Sequence, residues 1–397
     1  METNAAFAGV TCTDCAETFE AADAPGRCPS CGGVLDVEYD YDALDVSRET
    51  FEDRGERSQW RYRELLPFAR EAAVTTDEGG TPLVSVPALA EEFGVEAVYV
   101  KDEGRNPTGT IDDRAQSVAA TAAREADATD VALASTGDDG QSAAAYAARA
   151  GLESHTFVPT RASFTNKAMV NVHGGDMSVV EGRIGDADAA FADAVDEHDD
   201  WHPVQVFSTP FAHEGLKTTY FEVAEALDWT APDHVINPTG RGAGLYALYK
   251  AATEVADLGL VADVPQVHAA QAEGCAPIVR AFEEERDSHE PWDAPDTICG
   301  RIEIPDPVGS PLALEALRES GGDAVAAPDP EILEGATSLA ESAGLELGAS
   351  SGAAVAAAYA LHERDAFDAD DVLVLVNAGA GSKDDDILRS HLMGKGI

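Results

Sequence analysis

Short apolar runs recur along most of this chain, at 97–100, 131–134, 155–158, 177–180, 204–207, 234–236, 266–269 and 372–376. Runs of this length read as buried strands. Between them lie alanine-rich stretches with helical spacing, at 116–126, 141–150, 213–227, 243–256 and 353–362. Strand and helix therefore alternate, which predicts α/β layers with parallel sheets covered by helices on both faces. In such folds ligands bind at the strand carboxyl ends, where turns lead into helix N-termini. The expected organisation is a small module over 1–45, a connector and the start of a larger α/β domain over 46–110, a smaller α/β domain over 111–210, and the rest of the larger domain over 211–397.

Charge adds one constraint. The 397 residues include 74 Asp and Glu against 26 Lys and Arg, a net charge of −48, at an ordinary 44% hydrophobic content. The acid excess is spread along the chain, so it reads as a solvated surface relieved by salt, the mark of a halophilic setting. A nucleic-acid partner is not expected, because broad basic surface is missing. The start METNAAFAG lacks a basic region followed by an apolar run, and the longest apolar stretch, near 352–361, is too short to span a bilayer. The expectation is a soluble cytoplasmic protein with no membrane partner.

Four of the six cysteines form Cys12-x2-Cys15 and Cys28-x2-Cys31, twelve residues apart and followed by Gly32-Gly33. Two knuckles of this type bring four thiolates into a tetrahedron that suits structural zinc, with the glycines allowing the turns that aim the sulfurs. Iron in the same site and two disulfides are the alternatives. Arg27 is the only basic side chain before residue 42, so nucleic-acid binding by this ribbon is not expected. Cys275 and Cys299 are isolated and read as buried apolar residues.

Further segments carry a resemblance. Trp60-Arg61-Tyr62-Arg63, Glu78-Gly79-Gly80-Thr81-Pro82-Leu83, Asn106-Pro107-Thr108-Gly109-Thr110 and the stretch Gly379 to Lys383 match segments of threonine synthase, as does the ribbon. The chain is similar over nearly its whole length to that family of fold type II pyridoxal-phosphate enzymes. The resemblance implies the two-domain, parallel-sheet architecture of the tryptophan synthase β type behind an N-terminal zinc ribbon. It also implies conversion of O-phosphohomoserine to threonine on a lysine-bound cofactor. Where the family reads Ser/Thr-Phe-Lys-Asp-Arg, however, this chain reads Thr110-Ile111-Asp112-Asp113-Arg114. Asp112 stands at the Schiff-base lysine, and a carboxylate cannot form an imine or shuttle the proton that an amine would. Only six lysines exist to replace it: Lys101, Lys167, Lys217, Lys250, Lys383 and Lys395.

Other positions implied to face the cofactor also differ. Ser135 to Ser142 resembles a Ser-Ser-Gly-Asn-Thr-Gly-x-Ser loop, with Asp138 in place of the asparagine that holds the phenolic oxygen. That exchange turns an amide donor into an acceptor-only anion. Thr239-Gly240-Arg241-Gly242-Ala243-Gly244 resembles the glycine-rich phosphate loop and keeps that character, with Arg241 as an added donor. Ala378 replaces the threonine whose hydroxyl faces the pyridine nitrogen, and Gly348-Ala349-Ser350-Ser351 replaces a Glu-Pro-x-Ser pattern. The expectation is a catalytically inactive or altered paralogue that binds a small anionic ligand or amino acid, or regulates a partner within a homo- or hetero-oligomer. An active threonine synthase is the alternative. A third reading is a metal-assisted lyase or isomerase using a magnesium or calcium site at Asp112, Asp113, Asp138 and Asp139. Among the histidines, His213 beside Glu214 is a candidate general base, and no serine is placed for a triad.

Overall fold

The computed structural model describes residues 1–198 and 200–395. The chain forms two compact units, one of Met1–Gly80 and Asp112–Thr218, the other of Thr81–Ile111 and Thr219–Ile397. The passage from the second unit into the first falls between Ile111 and Asp112.

The first unit holds two sheets. The ribbon is antiparallel, in the order Thr18–Phe19, Phe7–Cys12, Leu35–Tyr39. The second sheet is parallel, in the order Asp176–Val180, Glu153–Pro159, Asp130–Ala134, Trp201–Pro203. One apolar cluster joins ribbon and body: Cys12, Cys28, Leu35 and Val37 pack with Trp60, Leu66 and Phe68, with Val118 and Ala122 of the helix Asp112–Glu125, and with Phe211. Residues 46–80, expected as a connector and the start of the larger domain, therefore group with the ribbon and the smaller sheet, because Trp60, Leu66 and Phe68 bury their side chains there. The same packing puts Phe211 and the helix Ala212–Leu216 in this unit, so the boundary falls at 218 and not at 210.

The second unit is built on a six-stranded sheet in the order Ala324–Ala327, Gln266–Ala272, His234–Pro238, Val372–Asn377, Ala97–Asp102, Leu83–Ser85. All pairs are parallel except the last, where Leu83–Ser85 runs antiparallel to Ala97–Asp102. The apolar stretch near the C-terminus forms the helix Gly352–Glu363, whose small side chains let residues 352–358 and Leu361 lie buried against this sheet. Among the described residues no helix is long and apolar enough to cross a membrane.

Two expected elements differ. The run 204–207 is buried but not in the sheet, whose last strand is Trp201–Pro203; Phe207 takes a φ of 63°, which no strand allows. The helix expected over 213–227 is split into Ala212–Leu216 and Thr218–Ala226. At the junction Thr218 Oγ1 donates to the Gly215 carbonyl at 2.7 Å, a side-chain bond of the kind that competes with a continuous helix.

Candidate functional site

The four ribbon cysteines come together as their spacing requires. Cys12 Sγ lies 3.5 Å from Cys31 Sγ and Cys15 Sγ 3.6 Å from Cys28 Sγ, and all four sulfurs fall within 4.8 Å of one another. No pair is a disulfide. Four ligands about 2.3 Å from one tetrahedral ion stand about 3.8 Å apart, so the donor set fits zinc. The turns depend on glycine: Gly32 has a φ of 79°, and a Cβ on Gly33 would fall 2.7 Å from Cys12 Sγ.

Asp112 is the first residue of the helix Asp112–Glu125, half-buried at its N-terminus. Behind it Asp113 is fully buried and accepts a 2.6 Å hydrogen bond from Ser142 Oγ, and Gln116 Nε2 donates to Asp139 Oδ1 at 2.6 Å. These contacts join the N-terminal turns of Asp112–Glu125 and Asp138–Ala150 side by side within the first unit. Asp138 is buried at the start of the second helix, after a turn in which Ser135 Oγ accepts from the amides of Gly137 (2.9 Å) and Gly140 (2.8 Å). Among the described residues the carboxylates of Asp112, Asp113, Asp138 and Asp139 do not form a metal-ligand group. Asp113 and Asp139 accept hydrogen bonds from Ser142 and Gln116, and the magnesium or calcium site raised as an alternative has no support among the described residues.

In the second unit Thr239, Gly240, Arg241 and Gly242 follow the strand His234–Pro238 and lead into the helix Ala243–Asp257. Gly242 has a φ of 89°, and the buried Thr239 Oγ1 donates to the Asn237 carbonyl at 2.8 Å. The turn thus presents backbone amides at a helix N-terminus. Ala378 lies just beyond the strand Val372–Asn377; its carbonyl accepts from the Ile111 amide at 2.9 Å, and its amide donates to Ser351 Oγ at 3.0 Å. Residues 110 and 379 form a β-bridge.

Sequence reasoning missed Arg301. From the turn Gly300–Ile302 its Nη2 donates to Thr110 Oγ1 at 3.0 Å and to the Ala378 carbonyl at 3.3 Å. Its guanidinium lies on Gly379, where an added Cβ would fall 2.8 Å from Nη2.

Four of the six lysines make polar contacts away from Asp112. Lys101 is buried with Nζ 2.6 Å from Glu222 Oε2 and donating to the Thr81 carbonyl at 2.7 Å. Lys217 is buried with Nζ 2.7 Å from Glu214 Oε2 and over the Tyr39 ring. Lys167 donates to the Thr160 carbonyl, and Lys395 pairs with Glu334. Lys383 packs its chain against residue 109, where a Cβ would fall 3.2 Å from its Cε. The residues present do not fit covalently held pyridoxal phosphate at position 112.

Two histidine expectations change. His213 is wholly buried, with Nε2 2.7 Å from Asp36 Oδ1, while Glu214 Oε2 accepts from Tyr39 at 2.5 Å. This network ties the ribbon strand Leu35–Tyr39 to the helix Ala212–Leu216, and burial bars it from acting as a general base on a ligand. A serine is in fact placed as in a triad: His289 Nδ1 is 2.6 Å from Ser310 Oγ and its Nε2 2.7 Å from Asp306 Oδ1. Ser310 is fully buried at the start of the helix Ser310–Ser320, so no substrate reaches it and the group serves to anchor the helix. Cys275 and Cys299 are buried as expected, and burial pushes the Cys299 thiol up to about 12.

Comparison with known proteins agrees with this architecture. The family described as "Pyridoxal-phosphate dependent enzyme" matches residues 74–379. Threonine synthase of Methanosarcina acetivorans is 34% identical over 374 residues, covering 94% of this chain and 91% of that protein. Threonine synthase of Methanocaldococcus jannaschii is 35% identical over 381 residues, covering 94% and 93%. Among solved structures, diaminopropionate ammonia lyase from Escherichia coli superposes with a TM-score of 0.70 at 18% identity, over 80% of this chain and 88% of that one. Maize serine racemase gives 0.67 at 16%, over 80% and 94%. The chain belongs to the threonine synthase family of fold type II pyridoxal-phosphate-dependent enzymes.

Proposed function

We propose that this protein keeps the threonine synthase fold without its Schiff-base chemistry, and acts as an altered paralogue that binds a small anionic ligand or regulates a partner. The observation that carries the reading is Asp112, an acid at the head of the helix entered from the Asn106–Thr110 segment, combined with two buried lysines already held in ion pairs. The anion would be held by the Thr239–Ala243 turn, whose amides and left-handed Gly242 survive beside Arg241. The ribbon would carry a structural zinc ion, since four thiolates leave no open coordination position for chemistry.

A second reading, an active threonine synthase, is favoured by the full-length likeness to proteins of that name. Adding pyridoxal phosphate to the full-length protein in molar salt, reducing with borohydride and mapping the peptides separates the two. No reduced adduct on any of the six lysines is expected. An adduct on one of them overturns the first reading, with Lys383 the first position to inspect.

A further inference from the structure

We infer that Arg301 is the residue that shuts pyridoxal phosphate out of the second unit, its guanidinium filling a slot made by Gly348 and Gly379 beside Ala378. This deepens the function proposed above and rests on it for one point, that Ala378 marks the face the family turns to the pyridine nitrogen.

The slot is built from paired backbone. Gly348 N–H donates to the Gly379 carbonyl at 2.8 Å. Neither glycine needs its freedom for conformation: Gly348 has φ −61° and ψ 147°, and Gly379 is not among the residues of positive φ. What forbids a side chain is the space. A Cβ on Gly379 would fall 2.8 Å from Arg301 Nη2 and 2.9 Å from Cζ. One on Gly348 would fall 2.9 Å from the Gly379 carbonyl oxygen, 3.2 Å from Asp384 Oδ2 and 3.3 Å from Arg301 Nη1. Both absent side chains thus leave room for one guanidinium.

The sequence changes point the same way. Position 348 is glycine where the resemblance implies glutamate, and a glutamate side chain there would compete for the room Arg301 takes. Position 378 is alanine where the resemblance implies a hydroxyl, and what faces that rung is now a cation bonded to its carbonyl at 3.3 Å. Nη2 is also tied to Thr110 Oγ1 at 3.0 Å, two residues before Asp112. A ring placed against this rung meets a planar ion of similar thickness already packed there.

The test compares pyridoxal phosphate binding by the full chain in molar salt for Asp112→Lys, Arg301→Ala and the two combined, with Arg301→Gln as a milder partner. Equilibrium dialysis gives affinity, borohydride reduction with peptide mapping gives the adduct at position 112, and near-ultraviolet circular dichroism with zinc content shows that each variant is folded. The double variant should bind at least about tenfold more tightly than Asp112→Lys alone and give an adduct that the single variant does not. Equal affinity and equal adduct in the two overturns the inference, and so does a folded double variant, in either the Ala or the Gln form, that binds no better than the single. An adduct in the unsubstituted protein instead sinks the function proposed above, and the two failures are told apart by which protein carries the label.

Discussion

Replacing His268 by Gln should remove an acid-sensitive component of stability. His268 Nδ1 accepts the Asp323 amide at 3.0 Å, so its proton is on Nε2, which donates to His234 Nδ1 at 3.0 Å; His234 Nε2 then donates to Asp371 Oδ2 at 3.0 Å. Protonating His268 would set an N–H against the Asp323 amide inside the sheet. Burial, with His234 adding to it, pulls its pKa down to about 3. An unfolded histidine titrates near about 6.5, so between these values the unfolded chain binds the extra proton and stability falls as pH falls. The loss relative to pH 8 is about 1.4 kcal/mol per pH unit below about 6.5: about 2 kcal/mol at pH 5 and about 3 at pH 4. Glutamine can keep both bonds, its oxygen accepting from Asp323 and its amide donating to His234, but cannot titrate. Denaturant unfolding of both proteins at pH 8 and pH 5, at one molar salt concentration, measures the difference. The variant should lose about 2 kcal/mol less than the parent over that interval. If the two lose the same within a few tenths of a kcal/mol, His268 is not held neutral and the tautomer chain is wrong.

Two further outcomes follow from packing and metal. Gly215→Ala should destabilise the first unit by about 3 kcal/mol in chemical denaturation, because a Cβ there overlaps the Arg114 carbonyl, 2.6 Å from its carbon, where the helices Ala212–Leu216 and Asp112–Glu125 meet; a change below about 0.5 kcal/mol would mean the helices part freely. A strong chelator should release one zinc per chain and lower the thermal midpoint of the whole first unit, since Cys12 and Cys28 belong to the same apolar cluster as Trp60 and Phe211. Metal release that leaves the melting curve unchanged would contradict that shared core.

Much of this was legible in the chain, for physical reasons that differ by element. The strand 372–377 is buried on both faces and writes itself as a nearly continuous apolar run. The run 204–207 is equally apolar but lies beyond the sheet, and burial alone does not say which backbone a residue adopts. The cysteine spacing gave the ribbon because its ligands are local. Arg301 was invisible because its partners, Thr110, Gly348 and Gly379, are remote in sequence and each is unremarkable alone; the glycine at 348 and the alanine at 378 were the only hints. His289 and Ser310 escaped for the same reason, and so did the division at residue 80, which follows from where Trp60 and Phe68 bury their rings.

The cluster joining ribbon to body also constrains the order in which the protein is made. The ribbon cysteines leave the ribosome first, yet the apolar partners that cover them, Val118, Ala122 and Phe211, are added much later. Phe211 follows Cys31 by about 180 residues, on the order of ten to forty seconds of synthesis at about 5–20 residues per second. During that interval the nascent ribbon has only its own apolar residues and Trp60, Leu66 and Phe68 to pack on. A metal ion held by the four thiolates would keep the ribbon in shape before that cover arrives.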